Sequence, residues 1–207
     1  MTRLSAVWLA AALFAAFLLL GLAVHRYGEP APLWAFDKAV VGRAALAAWY
    51  VTQLGRFDAL GLIFIVLLVA AAFVPSWRGR IIFSLVMLLL AWRVTDFFQH
   101  LFARPRRLDW VIYHEHSFSY PSSHAAIAVA FYALWAWVLW RASESMAQRA
   151  AAVALLALAL ALCWSRLALG AHYLTDVAGG ALLGAALLAA GSAVWPGIAA
   201  GARKEHA

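Results

Sequence analysis

The sequence predicts an all-α fold, a six-helix transmembrane bundle. Three observations carry that expectation. Of the 207 residues, 67% are hydrophobic and 12% are charged, a balance no water-soluble domain of this length shows. The apolar residues gather into six runs long enough, or nearly so, to cross a bilayer as helices. No period-2 alternation competes with those runs, so a strand-built alternative has no support.

The elements follow in order. The first run, 4–24, is too long for a signal-peptide core and is followed by no clean small-x-small cleavage site, so it reads as a retained span. The connection 25–57 opens on the turn-rich Gly28-Glu29-Pro30-Ala31-Pro32. From residue 33 to 57 it reads as an amphipathic helix whose polar marks are Asp37, Lys38, Arg43 and Arg56. An interfacial helix between spans 1 and 2 is expected there, and a plain surface connector fits the pattern equally well. The remaining spans are expected over roughly 58–76, 81–102, 122–140, 150–169 and 174–195. Their connections differ in character. Residues 76–80 are short and basic, 103–120 are rich in arginine, histidine and aromatics, and 141–149 are polar. Trp77, Trp92, Trp110, Trp140 and Trp195 fall near segment ends, as an interfacial aromatic belt favours. Gly180-x-x-x-Gly184 marks a close helix approach, expected inside the bundle. Residues 1–207 are read as one integral-membrane domain.

Charge and cysteine usage narrow the function. The net charge of +7 suits basic loops beside anionic headgroups, or an anionic substrate. No basic run or nucleic-acid-binding module is present, so nucleic acid is not an expected partner. Cys163 is the single cysteine, which excludes an internal disulfide. Lysine and arginine in the connections divide evenly between the two sides. Discounting Arg104, Arg106 and Arg107, which have a chemical reason to be where they are, tips the balance toward cytoplasmic termini.

The chemistry lies in two short patterns, Pro121-Ser122-Ser123-His124 and Ser165-Arg166-x5-His172-x3-Asp176. Alternating span directions bring both, with the 104–107 arginines, to one membrane face. Ionisable groups at membrane depth are seldom retained without use. His172 and Asp176 are four apart and share a helix face, so Asp176 can hold one imidazole nitrogen and raise the basicity of the other. A helix starting at Ser122 or Ser123 offers free N–H groups to an anion, though simple N-capping explains Ser123 as well. Arg166 and an arginine of the 104–107 cluster add planar donors suited to phosphate. In this reading His172 attacks phosphorus, His124 handles the leaving-group proton, and no metal or other cofactor is required. His114-Glu115-His116 is a weak metal pattern and reads as a solvated loop or a rim touching the headgroup. Arg93, Asp96 and His100 share one helix face, where Arg93 and Asp96 are expected to neutralise each other.

Taken together these patterns resemble the type 2 phosphatidic acid phosphatase (PAP2) superfamily of membrane lipid phosphatases. That family carries Lys-x6-Arg-Pro, then Pro-Ser-Gly-His, then Ser-Arg-x5-His-x3-Asp. The third motif is complete as Ser165, Arg166, His172 and Asp176, and the second has Ser123 in the glycine position. The first motif departs, and two registers are open. In the preferred one Arg106 is the motif arginine, Gln99 replaces the lysine and Arg107 replaces the proline. In the other Arg104 is the motif arginine and Phe97 stands at the lysine position. Either way one phosphate-binding cation is missing, and Arg93 or Arg107 is a candidate to replace it.

The resemblance implies catalytic roles for His172, His124 and Asp176. It implies phosphate contacts from Arg104 or Arg106, Gln99, Ser122, Ser123, Ser165 and Arg166. It implies hydrolysis of a lipid phosphomonoester or pyrophosphate within the bilayer, through a phosphohistidine. Phosphatidic acid, phosphatidylglycerophosphate and polyprenyl pyrophosphate all fit, and analogy alone favours the last. A bacterial inner membrane with an outward-facing site is the expected setting. A lipid phosphotransferase, or a lipid-binding protein with a degenerate site, are the competing readings. Oligomeric state is not indicated.

Overall fold

The computed structural model describes residues 2–106, 112, 115 and 117–195. Arg107, Trp110, His114, His116, Arg203 and Lys204 lie outside the described residues. The described chain is helical, with no strand. The helices are α1 (Arg3–Tyr27), α2 (Ala31–Val40), α3 (Ala45–Gln53), α4 (Phe57–Phe73), α5 (Arg78–Phe102), α6 (Ser123–Arg141), α7 (Met146–Ala168) and α8 (Leu174–Val194). Five of them are long and apolar enough to cross a membrane, and α3 with α4 makes a sixth span bent by 41°.

The bent span corrects the expected connection. Residues 33–57 do not form one amphipathic helix. Gly42 at φ 80° and Ala44 at φ 48° adopt left-handed backbone, which an α-helix cannot continue through. The connecting helix is therefore the short α2, and α3 joins the bundle by burying Ala48 and Thr52 completely. Asp37, read as a polar surface mark, is 1% exposed. Both of its carboxylate oxygens accept from the Leu174 N–H at the start of α8, at 3.1 and 3.3 Å.

Lipid-facing and core-facing residues separate as a bilayer demands. Leu62, Ile65, Val66 and Val69 stand exposed on α4. Inside, α1 packs along α8, and the rings of Phe17, Phe98, Phe102 and Tyr120 fill the space between α1, α5 and the 103–120 connection. The Gly180/Gly184 pair faces α6, as the spacing implied. A side chain at Gly180 would overlap the Ser122 carbonyl, and one at Gly184 would overlap the Ala126 carbonyl. This close approach sets the start of α6 against the first turns of α8, where His124 and Asp176 sit.

Candidate active site

One end of the bundle collects the ends of four spans. α5 and α7 finish there, and α6 and α8 begin there. Local backbone chemistry fixes each catalytic candidate. α7 closes through Gly170 at φ 65°, and the Arg166 carbonyl accepts from the N–H groups of Ala171 and His172, at 3.0 and 3.2 Å. Arg166 and His172 are thereby held in one tight turn. α8 begins immediately afterwards. Asp176 accepts from the Tyr173 N–H at 2.9 Å, which satisfies a free donor of the first turn. The Ser122 N–H donates to the Asp176 carbonyl at 3.0 Å and locks the α6 start onto α8.

His172 is 4% exposed, and its two nitrogens face different partners. Nδ1 lies 3.4 Å from Asp176 Oδ2, a close ion-pair approach longer than a good hydrogen bond. Nε2 lies 3.2 Å from Arg106 Nη1. Burial, reinforced by the Arg106 charge, pushes the His172 pKa down to about 4 against the opposing pull of Asp176. The ring is therefore neutral at physiological pH, the state a nucleophile needs. Asp176 is fully buried and is held on its other sides by Arg104 and by the Ser119 hydroxyl.

The cations divide into two groups. Arg106 donates to the Ser117 carbonyl at 2.7 Å, the Ser117 hydroxyl at 3.0 Å, and the carbonyls of Phe118 and Ala171, so its guanidinium is fixed beside His172. Burial and the nearby Arg166 charge lower its pKa to about 10, which leaves it charged at neutral pH. Arg166 is 1% exposed and donates to Thr52 at 2.6 Å and to Glu115 at 2.6 Å. Arg104 faces away from this pair. It bridges Asp176, Thr175 at 2.8 Å and Glu29 at 2.9 Å, and lies 4.0 Å over the Tyr173 ring. Burial opposes its charge, but Asp176 and Glu29 outweigh burial and raise its pKa.

The sequence-predicted residues thus meet to different degrees. His172, Asp176, Arg106, Arg166 and His124 come together electrostatically. Ser122 is the N-cap of α6, and its hydroxyl is buried without a hydrogen-bond partner among the described residues, as is His124 Nε2. Ser123 occupies the first turn rather than the cap. Ser165 donates to the Leu162 carbonyl of its own helix at 2.7 Å. Gln99 donates to the Pro121 carbonyl at 2.9 Å, so its amide supports the backbone leading into α6. Arg93 lies exposed on α5 against Trp92 and lines a surface groove with Asp96 and His100. Asp96 pairs with His100 at 3.8 Å, the partner the sequence reading had given to Arg93.

Sequence reasoning missed several members. Glu115, read as loop or rim, reaches Arg166. Burial would raise its pKa, but the Arg166 charge and hydrogen bond lower it on balance, so it stays ionised. Glu29 and Asp37 come from the first connection, and Thr52 from α3. Gly55, at the break between α3 and α4, lies so close to the His124 ring that a side chain there would overlap it. Glu29 and Asp37 carried only a hint, as acidic residues in a connection otherwise marked by basic ones.

A negative charge held by Arg106 and Arg166, beside a neutral histidine backed by a carboxylate, describes a site for attack on phosphorus. Comparison with known proteins gives the family and the fold. No curated protein matches the chain. A solved structure does, described as a crystal structure of the first transmembrane PAP2 type phosphatidylglycerolphosphate phosphatase from Bacillus subtilis. It superposes with a TM-score of 0.69 at 25% identity, over 86% of this chain and 91% of that one. The model of the PAP2 superfamily matches residues 80–198, more than half of the chain and all of the catalytic candidates, and the chain belongs to that superfamily.

Proposed function

We propose that this protein hydrolyses a phosphomonoester or pyrophosphate carried by a membrane lipid, through a phosphohistidine at His172 and without a metal. Family and fold support an integral-membrane phosphatase of the PAP2 type. The observation that carries the proposal is the setting of the His172 ring, between Asp176 at Nδ1 and Arg106 at Nε2.

The lipid phosphate displaces Glu115 from Arg166 and takes donors from Arg166, Arg106 and the α6 N-terminus. His172 Nε2 attacks phosphorus while the bond to the lipid oxygen breaks. Asp176 stabilises the charge that develops on the imidazole. The leaving oxygen takes a proton from His124, whose protonation the bound phosphate charge favours. His124 then removes a proton from water, which attacks the phosphohistidine, releases inorganic phosphate and restores His172. Histidine and arginine fill every role, so no metal is invoked.

The test is phosphate release by the purified protein across phosphatidic acid, phosphatidylglycerophosphate and a polyprenyl pyrophosphate, with and without chelator. Release that survives chelation supports the reading. Loss with EDTA and recovery with magnesium or zinc refutes the metal-free mechanism, and phosphate moved to a second lipid assigns a transferase. An outward-facing site in a bacterial inner membrane is part of the same proposal. Ser117→Cys, placed at the site's edge, should react with an impermeant maleimide in intact spheroplasts. Reaction only after lysis reverses the orientation.

A further inference from the structure

We propose that Arg104 and Glu29 form a positioning relay behind the catalytic pair, and that Arg104 does not bind the substrate phosphate. The proposal rests on His172 being the nucleophile. Arg104 is 5% exposed and Glu29 lies across from Asp176 on its far side, so one guanidinium is clamped between two carboxylates. Thr175, one residue before Asp176, donates to the same Glu29 oxygen that accepts from Arg104. Tyr173 packs its ring under the guanidinium at 4.0 Å and also gives its N–H to Asp176. Arg104 therefore meets side chains 173, 175 and 176, the segment that sets the direction of the Asp176 carboxylate.

The charge balance separates Arg104 from Arg106. A phosphate dianion approaching Arg104 would meet Glu29 and Asp176 at contact distance, a repulsion strengthened by burial. Among the described residues no carboxylate is bonded to Arg106. Its partners are carbonyls, a hydroxyl and His172, so its positive charge remains available to an anion. Two arginines separated only by Pro105 thus take opposite tasks. Arg106 faces the reacting atoms, and Arg104 acts on them through Asp176. Beside Arg104 and Glu29 lies a cavity of about 210 Å³, also lined by His25 and Tyr173, so neither side chain is wedged into solid core.

Losing Arg104 leaves Asp176 and Glu29 as buried carboxylates with no cation between them. Removing that positive charge raises the affinity of His172 for a proton, so the active form requires higher pH. The groups facing His172 are Asp176 of α8, Arg106 and Glu115 of the 103–120 connection, Arg166 of α7 and His124 of α6. Among the described residues those facing Asp176 are Arg104, Arg106, Ser119 and Tyr120 of the 103–120 connection, His172 and, from α2, Asp37.

The experiment compares Arg104→Gln, Glu29→Gln, the double variant and Arg106→Gln with wild type. It reads kcat and KM on a short-chain phosphatidic acid over pH, and inorganic phosphate binding by calorimetry. Arg104→Gln should lower kcat by about 10–100-fold, by analogy with the loss of an outer-shell partner behind a metal-ligating histidine. Its KM and phosphate affinity should stay near wild type, and the acid limb of its rate profile should move to higher pH. The double variant should recover part of the lost kcat and return the limb toward wild type. Arg106→Gln should weaken phosphate binding. The proposal is overturned if Arg104→Gln weakens phosphate binding as Arg106→Gln does, or if the double variant is no better than the single. Should Arg104→Gln not fold, Arg104→Lys carries the same readings, since a lysine cannot bridge both carboxylates through a planar fork. If the wild type releases no phosphate from any lipid, the functional reading fails, and the binding comparison still decides the task of Arg104.

Discussion

The two sides of the His172–Asp176 pair are built from similar residues and do different things. In front, beside His172 Nε2, Arg166 meets the carboxylate of Glu115, which is partly exposed and can leave, while Arg106 meets carbonyls and a hydroxyl. Behind, Arg104 meets two carboxylates that are almost wholly buried and cannot. An arginine with carbonyl partners keeps its charge for a substrate, and an arginine between two carboxylates becomes part of the scaffold. The difference lies in the partners, not in the residue type.

The largest expected effects remove the pair itself. His172→Ala should lose about 10⁴-fold or more in kcat, as deletion of a covalent nucleophile does elsewhere. Asp176→Asn should be milder, because it misdirects the imidazole without removing it. Near-wild-type phosphate release from His172→Ala would end the assignment. Next comes the front. Arg106→Ala should cost about 10²–10³-fold, the range for loss of one electrostatic donor to a developing charge. A silent Arg106→Ala beside a phosphate-binding defect in Arg104→Ala would reverse the assignment of front and back.

Smaller effects sharpen the contrast. Glu115 occupies Arg166, the arginine proposed to bind the substrate phosphate, so Glu115→Gln should tighten inorganic phosphate inhibition. About fivefold is the order set by releasing one partly exposed ion pair of about 1 kcal/mol. Weaker inhibition would mean that Glu115 helps hold the anion. At the back, burial and then Glu29 raise the Asp37 pKa to about 7. The folded state thus keeps a proton that the unfolded state has lost above its ordinary pKa of 3.8. Stability from this group is full below that value and is lost as pH rises through about 7. Asp37→Asn should flatten that decline in thermal scans. An unchanged slope would place the titrating group elsewhere.

Much of the front was legible in the chain because its logic is local. His172 and Asp176 are one helical turn apart, Arg166 leads into the same turn, and alternating spans bring His124 to the same end. The back was not legible, because its decisive contacts join residues far apart in sequence. Glu29 meets Arg104 across 75 positions, and Asp37 reaches Leu174 across 137. Neither carboxylate has a spacing that announces its partner. Resemblance alone preferred the Arg106 register of the first motif. The partners support that preference, since Arg106 stands beside His172 and Arg104 does not. The fold was legible through its apolar runs, except at residues 33–57. There the break depends on left-handed backbone at Ala44, a residue type that gives no warning of it.

The most direct test of the account is to catch the covalent intermediate. A His124→Ala variant lacks the group proposed to activate water, so phosphate should accumulate on the enzyme when the substrate is a polyprenyl pyrophosphate, whose leaving phosphate needs little help from the His124 proton. It would be mixed with lipid substrate labelled in its phosphate, quenched in alkali and digested for mass spectrometry. The account predicts an acid-labile, base-stable phosphate on the peptide carrying His172, absent when His172 is also replaced. Rapid substrate turnover with no label on that peptide, or a label that persists without His172, would contradict it.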